Sequence, residues 1–337
     1  MKIKLKPVSE QVIVLTGATS GNGLATAKEA ARRGAALVLA ARNGEALDAI
    51  AVDLRAQGAR VAICVADVAI ESDVERIYDT AMDEFDGFDT WVNNAASATY
   101  GSLDQVSMED HRRVFDVNYF GLVKGSLAAA RHLRERGGAI INIGSVLSDH
   151  STILQGPYSA TKHAVQAASD ALRMELAEED AQISVTLIKP AAIHSPYPEH
   201  ARNYLNEPPR LPPVLYDPRL VADAILFAAE HPRRQLYVGF SGFLISLGGS
   251  LAPGLTDRLM SLLGRRMQTD AEQPGDPAAR DNLYEPKRDG AIDGSQDYFV
   301  RRTSLWLEGQ KHPALALAAA GLVGVLVASA VAKRSRL

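Results

Sequence analysis

Thr16-Gly17-Ala18-Thr19-Ser20-Gly21-Asn22-Gly23 is the run that decides how this chain is read. It follows directly on an apolar stretch, 11–16, and leads into an alanine-rich one, 22–33, that suits a helix. Glycines at a strand-to-helix turn permit positive φ and let backbone N–H groups approach a pyrophosphate at the helix N-terminus. A tight turn with no ligand would use the same glycines. The surrounding sequence has to discriminate.

Outward from that turn the pattern repeats. Apolar β-branched runs predict strands at 11–16, 36–41, 60–66, 88–93, 139–144, 183–189 and 235–238. Helical stretches fall between them, at 22–33, 44–57, 71–85, 108–134, 157–179 and 219–230. Strands apolar on both faces and joined by helical crossovers predict an α/β fold, a doubly wound parallel sheet of about seven strands with helices on both faces. Ser107 with Asp110 three residues on resembles a capping box, and Pro157 suits a first helical position.

The end of the second strand bears on the nucleotide. A fold that binds NAD places an acidic residue there to hold the ribose hydroxyls. This chain reads Leu39-Ala40-Ala41-Arg42. Ala41 removes the carboxylate that would repel a 2′-phosphate, and the Arg42 guanidinium offers a fork that matches one. The expected cofactor is NADP(H); an Arg42 that merely caps a surface strand is the alternative.

Further motifs follow in order: Asn93-Asn94-Ala95-Ala96, then Asn118, then Ser145 closing the fifth strand, Tyr158-Ser159-Ala160-Thr161-Lys162, and Lys189-Pro190. Tyr158 and Lys162, four apart, share one helix face. A phenol with a pKa near 10 exchanges protons poorly at neutral pH, and a nearby ammonium favours its phenolate. Taken singly these residues have structural readings: a strand-end cap for Ser145, a half-buried aromatic for Tyr158, a backbone partner in a kinked helix for Asn118, a solvated face for Lys162. Taken together, and with the glycine spacing, residues 8–240 resemble the short-chain dehydrogenase/reductase family.

That resemblance implies a Rossmann-type catalytic unit and a catalytic set of Asn118, Ser145, Tyr158 and Lys162. Tyr158 would be general acid/base, Ser145 would hydrogen-bond the carbonyl oxygen, Lys162 would also hold ribose hydroxyls, and Asn118 would position a water of the proton relay. It implies cofactor contacts from Thr16, Gly17, Thr19, Ser20, Gly21, Asn22, Gly23, Asp67, Val68, Asn94, Ala95, Pro190, Ile193 and Ser195, beside Arg42, Tyr158 and Lys162. Asn22, Ala96, Ala191 and Ser195 depart from the family pattern. Relatives of this type associate as homo-dimers or homo-tetramers through the helices bearing Asn118 and Tyr158.

Substrate contacts are expected from Ser145, Tyr158, Leu147, Gln155 and Tyr197, with Ser148, Ile153, Leu154, Ala192 and His194 flanking them. Most are apolar. No His/Cys/Asp cluster has metal-ligand spacing. The proline-dense stretch 194–218 predicts an irregular, lid-like insertion into a catalytic domain at 1–248. Beyond it, 249–312 reads as an apolar segment followed by a polar linker broken by glycine and proline.

Residues 313–332 contain no charge, and Lys333, Arg334 and Arg336 follow. At about 1.5 Å per residue, 20 helical residues span about 30 Å, one bilayer core. Ala316, Ala320, Gly324, Ala328 and Ala332 recur every four residues, a small-residue stripe that lets membrane helices approach closely. A hydrophobic tail helix anchoring the protein in a membrane is expected, and a soluble helix packed on protein is the alternative.

Composition excludes other classes. Thirty-six basic against 40 acidic residues leave a charge of −4, giving no basic field for nucleic acid. The single cysteine, Cys64, precludes an intramolecular disulfide and suits a reducing compartment. The N-terminus carries only a short apolar run, which predicts a catalytic domain retained in the cytosol. The expected activity is hydride transfer between NADP(H) and a lipophilic carbonyl or secondary alcohol. A non-catalytic NADP-binding membrane scaffold or sensor is the rival, and it would not need Tyr158 or Lys162.

Overall fold

The computed structural model describes residues 3–276, 279–287, 290–318 and 321. The first half alternates strand and helix: β1 (Val12–Thr16), α1 (Gly21–Arg32), β2 (Ala36–Ala41), α2 (Gly44–Ala56), β3 (Val61–Val65), α3 (Glu71–Phe85) and β4 (Thr90–Asn93). After β5 (Thr99–Tyr100) come α4 (Met108–Phe115), α5 (Gly121–Arg136), β6 (Gly138–Ile143), α6 (Gly156–Glu178) and β7 (Ile183–Pro190). The remainder comprises α7 (Tyr197–His200), β8 (Arg202–Asn203), β9 (Leu215–Tyr216), α8 (Pro218–Glu230), β10 (Gln235–Val238), α9 (Phe240–Leu251), α10 (Pro253–Gln268), β11 (Val300–Arg301) and α11 (Leu305–Lys311).

Seven strands form one parallel sheet in the order β10-β7-β6-β4-β1-β2-β3. Alternate side chains feed two cores. Leu15, Leu37, Leu39 and Ile141 pack towards α1 and α8, with Leu24, Ala27 and Ile225. Val14, Val38, Trp91 and Ile140 pack towards α3, α5 and α6, with Ile77, Leu133 and Leu176. The chain winds outward from β1 to β2 and β3, then crosses back to β4 on the other side. A crevice therefore opens at the carboxyl ends of β1 and β4, where doubly wound sheets bind ligands. The glycine turn and Asn94 lie there.

Five local readings differ from the sequence. The expected 108–134 helix is interrupted by a π turn at Asp116–Phe120, which shifts the register between α4 and α5. The capping box at Ser107 is half formed: its Oγ accepts from the Asp110 N–H at 3.1 Å, while the Asp110 carboxylate accepts from Tyr204 and Tyr284 and pairs with Arg202. The 194–218 insertion is pinned at both ends, β8 pairing with β5 and β9 with β11. A boundary at 248 cuts through α9. The polar stretch after Gly264 is no free spacer, because its described part folds back over the crevice and ends in α11 beside β10.

Helix α9 is fixed to the sheet by a buried charge. Lys189 Nζ donates to Asp149 Oδ1 at 2.7 Å, and Ser246 Oγ and Tyr237 Oη donate to Asp149 Oδ2 at 2.7 and 2.9 Å. Removing one partner of a pair this buried costs about 3–5 kcal/mol. Among the described residues no helix is long and apolar enough to cross a membrane. Most of the expected tail span, 313–332, lies outside the described residues.

Candidate active site

Two adjoining cavities open at the carboxyl edge of the sheet, and Asn22, Asn94, Ala96, Ser195 and Tyr197 line both. The first is a polar groove over the glycine turn. Gly17 has φ +67°, and a Cβ there would meet Ala95 Cα at 2.8 Å; one at Gly23 would meet the Gly17 carbonyl oxygen at 2.0 Å. Both glycines are required by the close packing of the turn against itself and against Asn94-Ala95, and Gly17 also by its positive φ. Thr19, Ser20, Gly21, Asn22, Gly23, Arg42, Asp67, Val68, Asn94, Ala95 and Ser195 line the groove.

Thr16 does not line it. Its Oγ1 turns inward, donating to Val92 O at 3.2 Å and accepting from the N–H groups of Asn94 and Ala95 at 3.0 and 3.1 Å. Asn94 Nδ2 in turn donates to the carbonyls of Thr16 and Gly17. Both residues brace the turn. Asn22 Oδ1 is buried with no hydrogen-bond partner among the described residues.

At the far end of the groove, Arg42 holds three backbone carbonyls from the C-terminal stretch: Asn282, Leu283 at 3.3 Å and Tyr284 at 2.9 Å. Asp67 accepts from Arg113 at 2.6 Å. Burial opposes its charge, but that bond and the Ala69 N–H together hold its carboxyl below the ordinary range. Nothing in the local sequence around Arg42 or Asp67 signalled these partners.

The second cavity, about 270 Å³, is largely apolar. Ser145, Leu147, Gln155, Tyr158, Lys162, Pro190, Ala192, Ile193, Ser195 and Tyr197 line it, bringing together residues spread over five elements and loops. Ser148, Ile153, Leu154 and His194 do not. Ser148 Oγ accepts from the Ser145 N–H, and His194 Nε2 meets Gln296 O at 3.0 Å. Ser145 caps the turn after β6, its Oγ accepting from Leu147 N–H at 3.1 Å.

Burial pushes the Tyr158 hydroxyl well above its ordinary value, opposed only by the neighbouring Ser145 hydroxyl. Without cofactor, Lys162 is not among the groups that act on the Tyr158 hydroxyl. Lys162 Nζ lies 5.4 Å from the Tyr158 ring centroid and donates to Ile143 O at 2.7 Å. Burial lowers its own pKa to about 8.

Asn118 stands behind the cavity rather than in it. Its Oδ1 accepts from Ser97 N–H at 2.7 Å, and its Nδ2 donates to Ser97 O and Thr161 Oγ1 at 2.9 and 3.0 Å. The side chain ties the π turn to the chain after β4 and to α6, next to Lys162.

The opposite wall comes from residues with no motif: Gly242, Ile245, Met260, Gly264, Met267 and Gln268 of α9 and α10. Gln268 Oε1 accepts from Gln155 Nε2 at 2.6 Å, and Gln155 Oε1 accepts from Tyr197 Oη at 2.8 Å. Tyr197 packs edge-on against Tyr158 with ring centroids 5.4 Å apart. The sequence signal for this wall was the apolar segment that opens 249–312.

Known proteins share this architecture. An alcohol dehydrogenase from Thermococcus sibiricus, solved in complex with 5-hydroxy-NADP, superposes with a TM-score of 0.60 at 25% identity, over 68% of this chain and 95% of that one. The "Uncharacterized oxidoreductase YxnA" of Bacillus subtilis is 44% identical, over 99% of this chain and 94% of its own length. The 11-beta-hydroxysteroid dehydrogenase A of Sesamum indicum is 35% identical over 56% of this chain and 54% of its own. The profile of the short chain dehydrogenases matches residues 11–204. The chain belongs to the short-chain dehydrogenase/reductase family of oxidoreductases.

Proposed function

We propose that this protein interconverts a lipophilic carbonyl and its secondary alcohol with NADP(H), and that Tyr158 exchanges the proton. One observation carries the reading: Ser145, Tyr158 and Lys162 open together into an apolar cavity that adjoins the glycine-floored groove. The groove suits the cofactor. A Cβ at Gly17 or Gly23 would strike Ala95 or the Gly17 carbonyl and force open the turn that floors it, Asn22 offers a buried unpartnered acceptor, and Ala41-Arg42 ends the second strand with a cation and no carboxylate. Gly17, Thr19, Ser20, Gly21, Asn22, Gly23, Asp67, Val68, Asn94 and Ala95 would hold it, with Pro190, Ile193 and Ser195 along the nicotinamide side.

NADPH, when bound, supplies the hydride. The chain supplies everything else. Tyr158, kept protonated by burial, is the acid that gives its proton to the carbonyl oxygen, and Ser145 donates a second hydrogen bond to that oxygen. Lys162 presents a cation beside both. Asn118 acts as a positioning residue, through Ser97 and Thr161. Leu147, Tyr197 and the α9–α10 wall exclude water around the reacting carbon.

Three features support a lipophilic substrate: the cavity lining, the leucines that α9 and α10 expose at 244, 251, 255, 259, 262 and 263, and the steroid named by the Sesamum relative. The exposed leucines also favour membrane association through 313–332. Removing 313–337 is expected to shift the protein from the membrane to the soluble fraction, and an unchanged distribution rejects the anchor.

The primary test is NADPH oxidation by the detergent-purified chain against matched lipophilic and small polar carbonyls. Tyr158→Phe should lower turnover about 10²- to 10⁴-fold while NADPH affinity changes less than about twofold. Activity surviving in that variant rejects the mechanism. Equal turnover on both panels rejects the lipophilic assignment.

A further inference from the structure

Residues 281–287 cross the outer rim of the groove, about 240 positions along the chain from Arg42 and Asn43, which they touch. Asn282, Pro286 and Lys287 line the groove alongside Arg42 and Asn43. We propose that this strap is the element that selects the cofactor's 2′-phosphate, by presetting Arg42 as a phosphate fork and adding Lys287 as a second cation. The proposal rests on the NADP(H) reading above and extends it to residues outside the strand-end position.

A guanidinium has five N–H groups in a rigid plane. The carbonyls of Leu283 and Tyr284 take Nη1, and that of Asn282 takes one hydrogen of Nη2. Among the described residues Nε–H and one Nη2 hydrogen have no partner. Nε and Nη2 bound one edge of the plane, the edge that can meet two phosphate oxygens. Three carbonyls fix the side chain's rotamers before any ligand arrives, so little conformational entropy is left to lose on binding.

Independent bonds hold the strap itself. Tyr284 Oη donates to Asp110 Oδ1 at 2.9 Å, and its ring lies 5.7 and 5.1 Å from the guanidinium carbons of Arg113 and Arg202. Arg202 Nε donates to Asp281 at 2.9 Å. Arg113 bridges the strap to the floor, donating to Leu283 O at 3.0 Å and to Asp67 at 2.6 Å. That pairing occupies the carboxylate on the groove floor, and Arg202 pairs with Asp281; Glu285 of the strap also acts on Arg42. Asn43 Nδ2 donates to Lys287 O at 3.3 Å, tying Lys287 to the residue beside Arg42. Lys287 Nζ donates to Glu199 O at 2.7 Å, its one hydrogen bond among the described residues of the three an ammonium can make.

Titration of the full-length protein with 2′,5′-ADP and with 5′-AMP isolates the 2′-phosphate from the rest of the cofactor. Wild type should prefer 2′,5′-ADP, and Arg42→Ala should abolish the preference. Lys287→Gln and Tyr284→Ala should each cut the preference about five- to tenfold while 5′-AMP affinity stays within about twofold. Tyr284→Phe, which keeps the ring between its arginines, should fall between Tyr284→Ala and wild type.

An unchanged preference in Tyr284→Ala and Lys287→Gln, in a protein where Arg42→Ala still loses it, overturns the strap and leaves NADP(H) standing. A preference that rises in Tyr284→Ala also overturns it, because the strap would then compete with phosphate for Arg42. Equal loss for both ligands makes the strap a general wall and overturns selection. A wild type that binds both ligands alike overturns the NADP(H) reading, and the clamp with it.

Discussion

The groove and the cavity are built alike below and differently above. Each has a floor of residues at strand ends, close in sequence to recognisable turns: Gly17 to Gly23 under the groove, Ser145 and the Tyr158–Lys162 face under the cavity. Each has a cover supplied from beyond residue 239. The groove's cover is a polar strap held by hydrogen bonds to its backbone carbonyls. The cavity's cover is an apolar helix pair held by the buried Lys189–Asp149 charge and one glutamine chain. On the reading proposed above, the floors would carry the chemistry and the covers would express selectivity between ligands, the strap by charge and α9 and α10 by shape and polarity.

Gln268 is the sharpest way to break that comparison. Its amide accepts from Gln155 and donates to Thr152 Oγ1 and Ile153 O at 3.1 and 3.0 Å, so the cover and the Tyr197 ring are positioned through it. Gln268→Leu keeps the volume but strips partners from buried amide and carbonyl groups, at a cost of about 1–3 kcal/mol. KM for the carbonyl substrate should rise about tenfold, with kcat and NADPH affinity within about threefold. Gln268→Glu, which keeps the acceptor but not the donor, should fall between the two. If kcat falls in step with kcat/KM, the glutamine chain acts on Tyr158 and the separation of cover from floor fails.

What could be read in advance follows the same line. The seven strands were legible because each is a short apolar run bounded by polar turns, and their ends fall within about two residues of the expected ones. Arg42 and the Ser145, Tyr158 and Lys162 set were legible because a strand end or a helix period fixes where they stand. Thr16 was misassigned because a hydroxyl at the edge of a turn points inward or outward with equal ease; the choice depends on the N–H groups of Asn94 and Ala95, a distant segment. Asn118 was placed in one helix over 108–134, with a kink only as the structural alternative, because nothing in the sequence there marks a π turn. Residues 281–287 read as a linker, being polar and rich in turn formers. Their attachment uses carbonyl oxygens, which every sequence possesses, and Arg113 and Arg202, which alone look like ordinary surface charges.

Lys162 tests how far the cover alters the floor. Its ordinary value is 10.5, and burial brings it to about 8. Tyr158 moves the other way, above its ordinary 10. In the reductive direction the reactive forms are a protonated Tyr158 and a charged Lys162. The alkaline limb of kcat/KM should therefore belong to Lys162, with a midpoint near pH 8, while the phenol stays protonated throughout. The expected loss across that limb is modest, about three- to tenfold, since the proton donor remains in place. Lys162→Arg should move the limb to higher pH. The sign for folding is opposite. Below pH 8 the folded protein carries a buried charge that the unfolded chain carries in water, and this cost is relieved between pH 8 and 10.5, where the unfolded chain binds more protons. Lys162 thus contributes a rise in thermal stability over the interval in which activity falls. Parallel decline of both would mean that the activity limb reports unfolding rather than the loss of one ammonium proton.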